Sequence, residues 1–549
     1  MKMDTNCAVI GAGFAGCSAA LELADAGCKV DLFVKGKLVV DSASRLTAGG
    51  LAAVSGESVK SKTDSYEAHI KDTLDAGKGL NDKSVVKRCS EQFYPDVIEW
   101  LVKQGVKFDR SKDQYDLHRE GGHSAARVFH IEDETGIHIM EVLADRVRRH
   151  PHIRLHENHI AIDVITKNKF LKLPGKDECV GIYVHDYIKN QVKAVSSKAV
   201  FLATGGLGKV FLYTSNPDAA SGDGFAMAYR AGLPLANMEF IQFHPTVFFD
   251  EQADSSERRF LFTEALRGEG AILKLRKDDK EDFVLKYHLQ GSKATRDVVT
   301  RAEDMEMRKN GLKHVWLDCT KIPEKRLRKD FRSAYEFALK KNTDISKEPI
   351  PVVYAVHYSN GGVLVNENSE TELSNLYVLG ETSYTGLHGA TRLASNSAPE
   401  CLLFGRIAAK HFIGNKKANK NYTVPDWDTG RAKESKDSVT ISCYWEITRK
   451  TMTLLCGVAR AEARLLAARD VLLALKKNIN SDYWNYVVTK EFLETRNLAE
   501  VANIVLNSAL TRKESRACHY REDFSKNNDK YLGLTVVQRD KEPEIKYMS

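Results

Sequence analysis

The sequence predicts an α/β chain: a Rossmann-like dinucleotide-binding domain, interrupted by an inserted domain and followed by a helical one. Three observations predict it. The glycine turn Gly11-Ala-Gly13-Phe-Ala-Gly16 stands between a strand pattern and a helix pattern. The chain becomes polar and charged from 246 to about 350, then apolar and glycine-rich again from 351, as if returning to the first domain. From about 438 to 512 the apolar residues recur at helical spacing.

Taken in order, Cys7 to Ile10 is an apolar run suited to a buried parallel strand. Residues 14–26 follow as a helix, with Ala19, Ala20, Leu23 and Ala24 on one closely packing face, and Gly27 ends it. Val30 to Val34 is the next strand, which completes a βαβ opening. The stretch 64–107 is mostly helical in pattern, and 153–203 is a series of short β segments. These close in Ala199-Val-Phe-Leu-Ala-Thr-Gly-Gly206, a strand running into a glycine turn. Residues 246–350 carry charged helical patterns, a Lys/Asn linker follows Lys416, and Arg460 to Leu475 forms an amphipathic helix suited to a bundle. No internal repeat is present.

At 549 residues the chain exceeds one hydrophobic core, and about two to four domains are expected. Hydrophobic content of 43% and charged content of 28% are those of a soluble globular protein. The net charge of +7 is spread along the chain. The lysine-rich stretches near 276–286 and 410–420 read as solvated surface, because no aromatic interleaving accompanies them; no nucleic-acid partner is expected. Ten scattered cysteines without a CxxC pair argue against a zinc ribbon, an iron–sulfur cluster or a disulfide framework. They point to a reducing, cytoplasmic setting, and no metal site is expected. No apolar run is long enough for a bilayer. Residues 7–24 superficially resemble a signal peptide, but they carry Gly11, Gly13 and Gly16 with Glu22 and Asp25 soon after, so a cleaved signal is not expected.

In the glycine turn the first glycine permits the tight turn, the second lets backbone approach a pyrophosphate, and the third lets helix and strand touch. The helix N-terminus then presents N–H groups to the phosphates. The second strand ends at Lys35 with no acid to hold a ribose, which disfavours a plain NAD site. A second turn, Ala203-Thr204-Gly205-Gly206, and a third, Ser221-Gly-Asp223-Gly224, point to FAD instead.

Across nearly its full length the chain resembles the succinate dehydrogenase/fumarate reductase flavoprotein superfamily, and within it the L-aspartate oxidase family. The matching segments are Gly49-Gly-Leu-Ala-Ala-Val54, Arg119-Glu-Gly-Gly-His-Ser124, Glu239-Phe-Ile-Gln-Phe-His-Pro-Thr246 and Thr263-Glu-Ala-Leu-Arg-Gly-Glu-Gly270. Thr295-Arg-Asp-Val-Val-Thr-Arg301, His357-Tyr-Ser-Asn-Gly-Gly-Val363, Gly380-Glu381 and His388-Gly-Ala-Thr-Arg-Leu-Ala-Ser-Asn-Ser397 continue the series, which ends in Arg512-Lys-Glu-Ser-Arg-Ala-Cys-His-Tyr520. The resemblance implies an FAD-binding domain at 1–245 and 351–412, an inserted α+β capping domain at 246–350 and a C-terminal helical domain at 420–549. By position it implies flavin contacts from Gly11, Gly13, Gly16, Lys35, Ser42, Ser44, Gly49, Gly50, Thr204, Gly205, Asp223, Glu381, Leu393, Ser395 and Ser397. Ala43 stands where respiratory relatives carry a flavin-linked histidine, so the FAD is expected to be non-covalent. Ala48 replaces a usual Gln and Ala517 a usual Gly.

The resemblance also implies that His244, Thr263, His357 and Arg392 hold the carboxylates of a four-carbon substrate, a task for which the guanidinium fork is well shaped. Arg296 matches the proton-transferring arginine, with Glu264 and Arg267 behind it. A guanidinium is a poor base, so in amine oxidation Arg296 has the easier task of orienting substrate. His123 and His388 lie in the same motifs and can orient loops instead. Glu120 selects the substrate: a carboxylate about 4 Å from an ammonium gains roughly 4 kcal/mol at an effective dielectric near 20, and it repels a plain dicarboxylate on the same scale. The implied reaction is oxidation of L-aspartate to iminoaspartate with O2 or fumarate as acceptor, with the product passing to quinolinate synthase in NAD synthesis. Two alternatives stay open: a succinate dehydrogenase or fumarate reductase flavoprotein subunit, and a flavin-binding sensor without catalysis.

Overall fold

The computed structural model of the chain describes residues 2–252, 259–415, 422–434 and 438–547. The start of the Lys/Asn linker after Lys416 falls outside them. The largest sheet has seven strands, ordered Ile153–His156, Val30–Phe33, Lys2–Ile10, Gln191–Leu202, Cys179–Asp186 and His159–Thr166, with Leu376–Val378 beside Gln191–Leu202. The first four run parallel. Ala199, Val200, Phe201 and Leu202 are all buried, as a strand covered on both faces requires.

The strand Gln191–Leu202 ties together distant parts of the chain. Its first half pairs antiparallel with Cys179–Asp186, while Val200 to Leu202 pair parallel with Leu376–Val378. The 153–203 region therefore holds strands of up to 12 residues rather than only short segments. A long strand that changes partner midway shows no single period.

The helix Phe14–Asp25 follows the first strand as expected. Tyr66–Gly77, Lys83–Gln92 and Glu99–Gln104 make up most of 64–107. Ser65 and Asp82 cap the first two, accepting from Ala68 N and from Ser84 N and Val85 N.

Strands Ile241–Phe248 and Ile350–Ser359 pair antiparallel, and Val315–Asp318 and Ile272–Lys274 extend them into a four-stranded sheet. The composition shifts near 246 and 351 thus fall inside two paired strands. They mark where side chains change character, while the backbone ladder runs on. The inserted region adds the helices Arg296–Asn310, Glu324–Asp330 and Arg332–Lys340.

Three helices, Ser438–Leu455, Glu462–Asn485 and Lys490–Thr511, follow. The second buries Leu465, Ala468, Leu472, Leu475, Ile479 and Tyr483, a stripe at three- and four-residue spacing. The tail does not stay helical. Leu534–Val537 and Glu544–Lys546 join Leu235–Ala236 in a five-stranded sheet. Leu-Thr-Val-Val is β-prone but too short to stand out against the helical pattern before it. No helix among the described residues is long and apolar enough to cross a membrane.

Candidate functional site

The glycine turn opens a cavity at the carboxyl ends of the parallel strands, the place where open α/β sheets take ligands. Gly11 has φ +99°, and a Cβ there would lie 2.1 Å from the Ala203 carbonyl oxygen. A Cβ on Gly16 would lie 1.9 Å from the Gly11 oxygen. Only glycines let the helix start this close to both strands. Gly13, the N-cap, provides no side-chain acceptor. Ser44 Oγ accepts from Phe14 N at 3.0 Å, and Ser42 Oγ accepts from Ser44 N at 3.2 Å. This is a helix N-terminus prepared for a diphosphate.

Lys35 lines the same cavity. Its Nζ lies 2.6 Å from Ser221 Oγ, 2.8 Å from Asp223 Oδ2 and 2.8 Å from Glu494 Oε1. Three acceptors match its three hydrogens, so it offers the cavity its stem and a fixed charge rather than a spare donor. Asp223 Oδ1 also accepts from Asn497 Nδ2 at 2.9 Å. The second and third turns are joined: Thr204 Oγ1 accepts from Gly224 N at 3.0 Å, and Thr382 Oγ1 donates to the Gly205 oxygen at 2.9 Å. Glu381 Oε1 accepts from Ser359 N at 2.9 Å, and burial raises this carboxyl to about 7. A helix N-terminus whose glycine N-cap offers no side chain, glycine backbone and flanking acids fit the diphosphate and hydroxyls of a dinucleotide such as FAD. Ala43 lines the cavity without an imidazole.

Beyond the cavity, the loop 119–124 is carried by paired strands Leu117–His118 and Val128–Phe129. It closes on itself: Arg119 Nε donates to the His123 oxygen at 2.9 Å, and His123 N donates to the Glu120 oxygen at 3.2 Å. Buried Arg127 anchors it. Its guanidinium grips Asp64 at 2.7 and 2.8 Å and Asp72 at 2.6 Å, and its Nη1 donates to His123 Nδ1 at 3.1 Å. His123 Nε2 then donates to the Ala394 oxygen at 2.9 Å. Both ring nitrogens are occupied, which makes His123 an orienting residue.

Glu120 is thereby placed against Gly49, where a Cβ would lie 2.0 Å from Glu120 Oε1. Ser395 Oγ donates to Glu120 Oε2 at 2.6 Å. Ser395 has φ +58°, and Leu393 abuts Gly122, where a Cβ would lie 2.7 Å from Leu393 Cδ1. The segments expected to meet the flavin therefore also position Glu120. Gly50 sits beside Gly49 with Phe129 close behind it.

The cationic groups converge from other elements. Arg296, first residue of Arg296–Asn310, bonds Glu264 Oε2 through Nε at 2.5 Å. Glu264 Oε1 lies 3.5 Å from Arg267 Nη2. Burial would raise Glu264, but Arg296 and Arg267 outweigh it and hold the carboxyl below its ordinary value. Thr263 caps the short helix Glu264–Gly268. Arg392 lies over the Tyr358 ring at 4.7 Å, and its Nη1 donates to Ser397 Oγ at 3.0 Å. Among the described residues Arg392 forms no ion pair, and its buried Nε has no hydrogen-bond partner. Such a buried, uncompensated guanidinium calls for an anion.

His244 and His357 stand on adjacent strands with ring centroids 5.6 Å apart. Burial, then Arg296, pushes both well below the ordinary imidazole value, so both are neutral. Thr246 Oγ1 donates to the Phe262 oxygen at 2.7 Å, while Thr246 N donates to His244 Nδ1 at 3.3 Å. His244 Nδ1 is then an acceptor, and Nε2–H is free to donate. Ser215 Oγ lies 2.9 Å from His357 Nδ1.

Sequence reasoning missed the residue at the centre of this cluster. Gln242 Oε1 accepts from Arg392 Nη2 at 3.2 Å and from Arg296 Nη1 at 3.5 Å, while its Nε2 donates to the Arg392 oxygen and Thr391 Oγ1, each at 3.0 Å. The available signal was a polar residue within the apolar stretch Phe240–Phe243. His388 is not brought in: its Nε2 bonds Glu400 Oε2 at 2.7 Å, in a buried network with Tyr358.

Residues 6–398 match the FAD binding domain family, and residues 446–549 match the fumarate reductase flavoprotein C-terminal family. The L-aspartate oxidase 1 of Ralstonia nicotianae is 41% identical over 540 residues, covering 98% of this chain and 98% of that one. The L-aspartate oxidase of Yersinia pestis is 42% identical over 522 residues, covering 94% and 95%. Among solved structures, a quinol-fumarate reductase with menaquinol molecules superposes with TM-score 0.86 at 26% identity, over 100% of this chain and 98% of that one. A Mycobacterium smegmatis Sdh1 complex superposes with TM-score 0.81 at 28% identity, over 97% and 91%.

Proposed function

The chain belongs to the L-aspartate oxidase family of FAD flavoproteins, and we propose from that membership that it oxidises L-aspartate to iminoaspartate. When bound, FAD supplies the two-electron acceptor, with dioxygen or fumarate as terminal acceptor, giving hydrogen peroxide or succinate.

The observation that carries the reading is the charge of the site. Arg296, Arg267 and Arg392 supply three positive charges, Glu264 and Glu120 two negative ones, and the two histidines none. The site is therefore singly positive. L-Aspartate, with two carboxylates and one ammonium, is singly negative and balances it. Succinate and fumarate are doubly negative and do not.

Arg392, His244, His357 and Thr263 take the two carboxylates, and Glu120 takes the ammonium. Its Oε2 is held by Ser395 and its Oε1 packs against Gly49, which fixes the carboxylate in place. Arg296, braced by Glu264 and backed by Arg267, orients the reacting carbon and stabilises charge there. We further place the enzyme in the cytoplasm, where its ten free cysteines stay reduced, with its product passing to quinolinate synthase.

The test is turnover. The enzyme should release hydrogen peroxide from L-aspartate and not from D-aspartate. Good succinate oxidation with no aspartate turnover would instead favour a respiratory flavoprotein subunit. Acid precipitation should leave the yellow cofactor in solution, since position 43 offers no imidazole; colour in the pellet would contradict that.

A further inference from the structure

We propose that Asp116, His118 and His130 form a binding site for a divalent transition metal of the Zn2+ class, at the root of the loop that carries Glu120. One ligand atom from each lies within 4.8 Å of the others, two imidazoles and a carboxylate from three backbone positions. The fold brings them together through hydrogen bonds unrelated to metal. Leu117–His118 pairs with Val128–Phe129, which places His118 beside the strand that His130 directly follows. Asp109 N donates to the His130 oxygen and Asp116 N to the Asp109 oxygen, each at 3.0 Å, so Asp116 is drawn to the same edge.

The second observation is His130 itself. Its ring is buried, yet among the described residues neither nitrogen makes a hydrogen bond, the Asp109 carboxylate being near Nδ1 but not aligned with it. A buried imidazole so poorly paired is uncommon and asks for a reason. The His118 ring is stacked on it, with centroids 3.5 Å apart at 17°, so the exposed His118 ring must turn out of the stack for both imidazoles to point at one ion. Asp109 Oδ2 lies 3.2 Å from Nδ1, where a small ring rotation would let it orient the histidine, as carboxylates behind metal-bound histidines commonly do. Asp116 and His118 are exposed, so an ion can enter from solvent. Two imidazoles and one carboxylate with an open fourth position suit Zn2+ and its spectroscopic substitute Co2+ rather than Mg2+ or Ca2+.

The experiment titrates FAD-loaded enzyme with Co2+ and follows the visible ligand-field bands on a cofactor-subtracted spectrum. One equivalent per chain should bind with the intensity of a four- or five-coordinate site, and Zn2+ should displace it. His118→Ala and Asp116→Asn remove exposed side chains and should keep folding and FAD content, while each weakens Co2+ binding at least tenfold. Unchanged binding in both variants would overturn the assignment, as would no saturable binding to the unaltered enzyme. Because the readout is the metal's own spectrum, it does not depend on the substrate reading.

Discussion

Among the described residues the buried Glu381 carboxyl has one hydrogen bond, from Ser359 N, and burial brings it to about 7. Its folded value lies above its unfolded one, so its protonated form favours the fold. That contribution is fully present below about pH 4.5 and is lost as pH rises through about 7. In cofactor-free protein, the stability of the unaltered chain relative to Glu381→Gln should fall across that window, measured by urea unfolding at each pH. A flat difference would mean that the carboxylate is solvated. At this scale most of the candidate site was legible, because His244, Arg296, His357 and Arg392, which the fold brings together, each sit in a recognisable motif. Gln242 was not: a glutamine in a strand carries no chemistry until the fold sets it against Arg392, 150 residues away. The anchoring of His123 by Arg127 was hidden for the same reason.

Elements were legible where one period governed them. The helix Glu462–Asn485 shows its buried stripe in the sequence. The long strand Gln191–Leu202 and the terminal strands do not, since their form is set by partners distant in the chain. The turn after the last long helix carries a departure of its own. Ala517 adopts φ +45°, a left-handed conformation in which a glycine is unstrained and an alanine is not. Its methyl packs against the Leu80, Phe240 and Ala390 cluster, which offsets part of that strain. Ala517→Gly should therefore stabilise the protein modestly, by less than about 1 kcal/mol, in thermal or urea unfolding. A loss above that size would show that the methyl contact outweighs the backbone strain.

On the scale of the whole molecule, the helical tail reaches back to the cofactor cavity. Glu494 holds Lys35 and Asn497 holds Asp223, both from the helix Lys490–Thr511. Glu494→Gln should lower FAD affinity by about tenfold, or ~1.4 kcal/mol, in a titration of cofactor-free protein, although Glu494 is not among the residues lining the cavity. Unchanged affinity would reduce the tail to packing. In the proposed function the split sheet, the inserted strands and the loop 119–124 act together in the same way, closing a singly positive site around one amino dicarboxylate. Substrate choice under Glu120→Gln tests this most directly. Removing that charge should lower kcat/KM for L-aspartate by about a hundredfold, equivalent to ~2.7 kcal/mol, while fumarate reduction is retained or improved. An unaltered ratio between the two substrates would contradict the account.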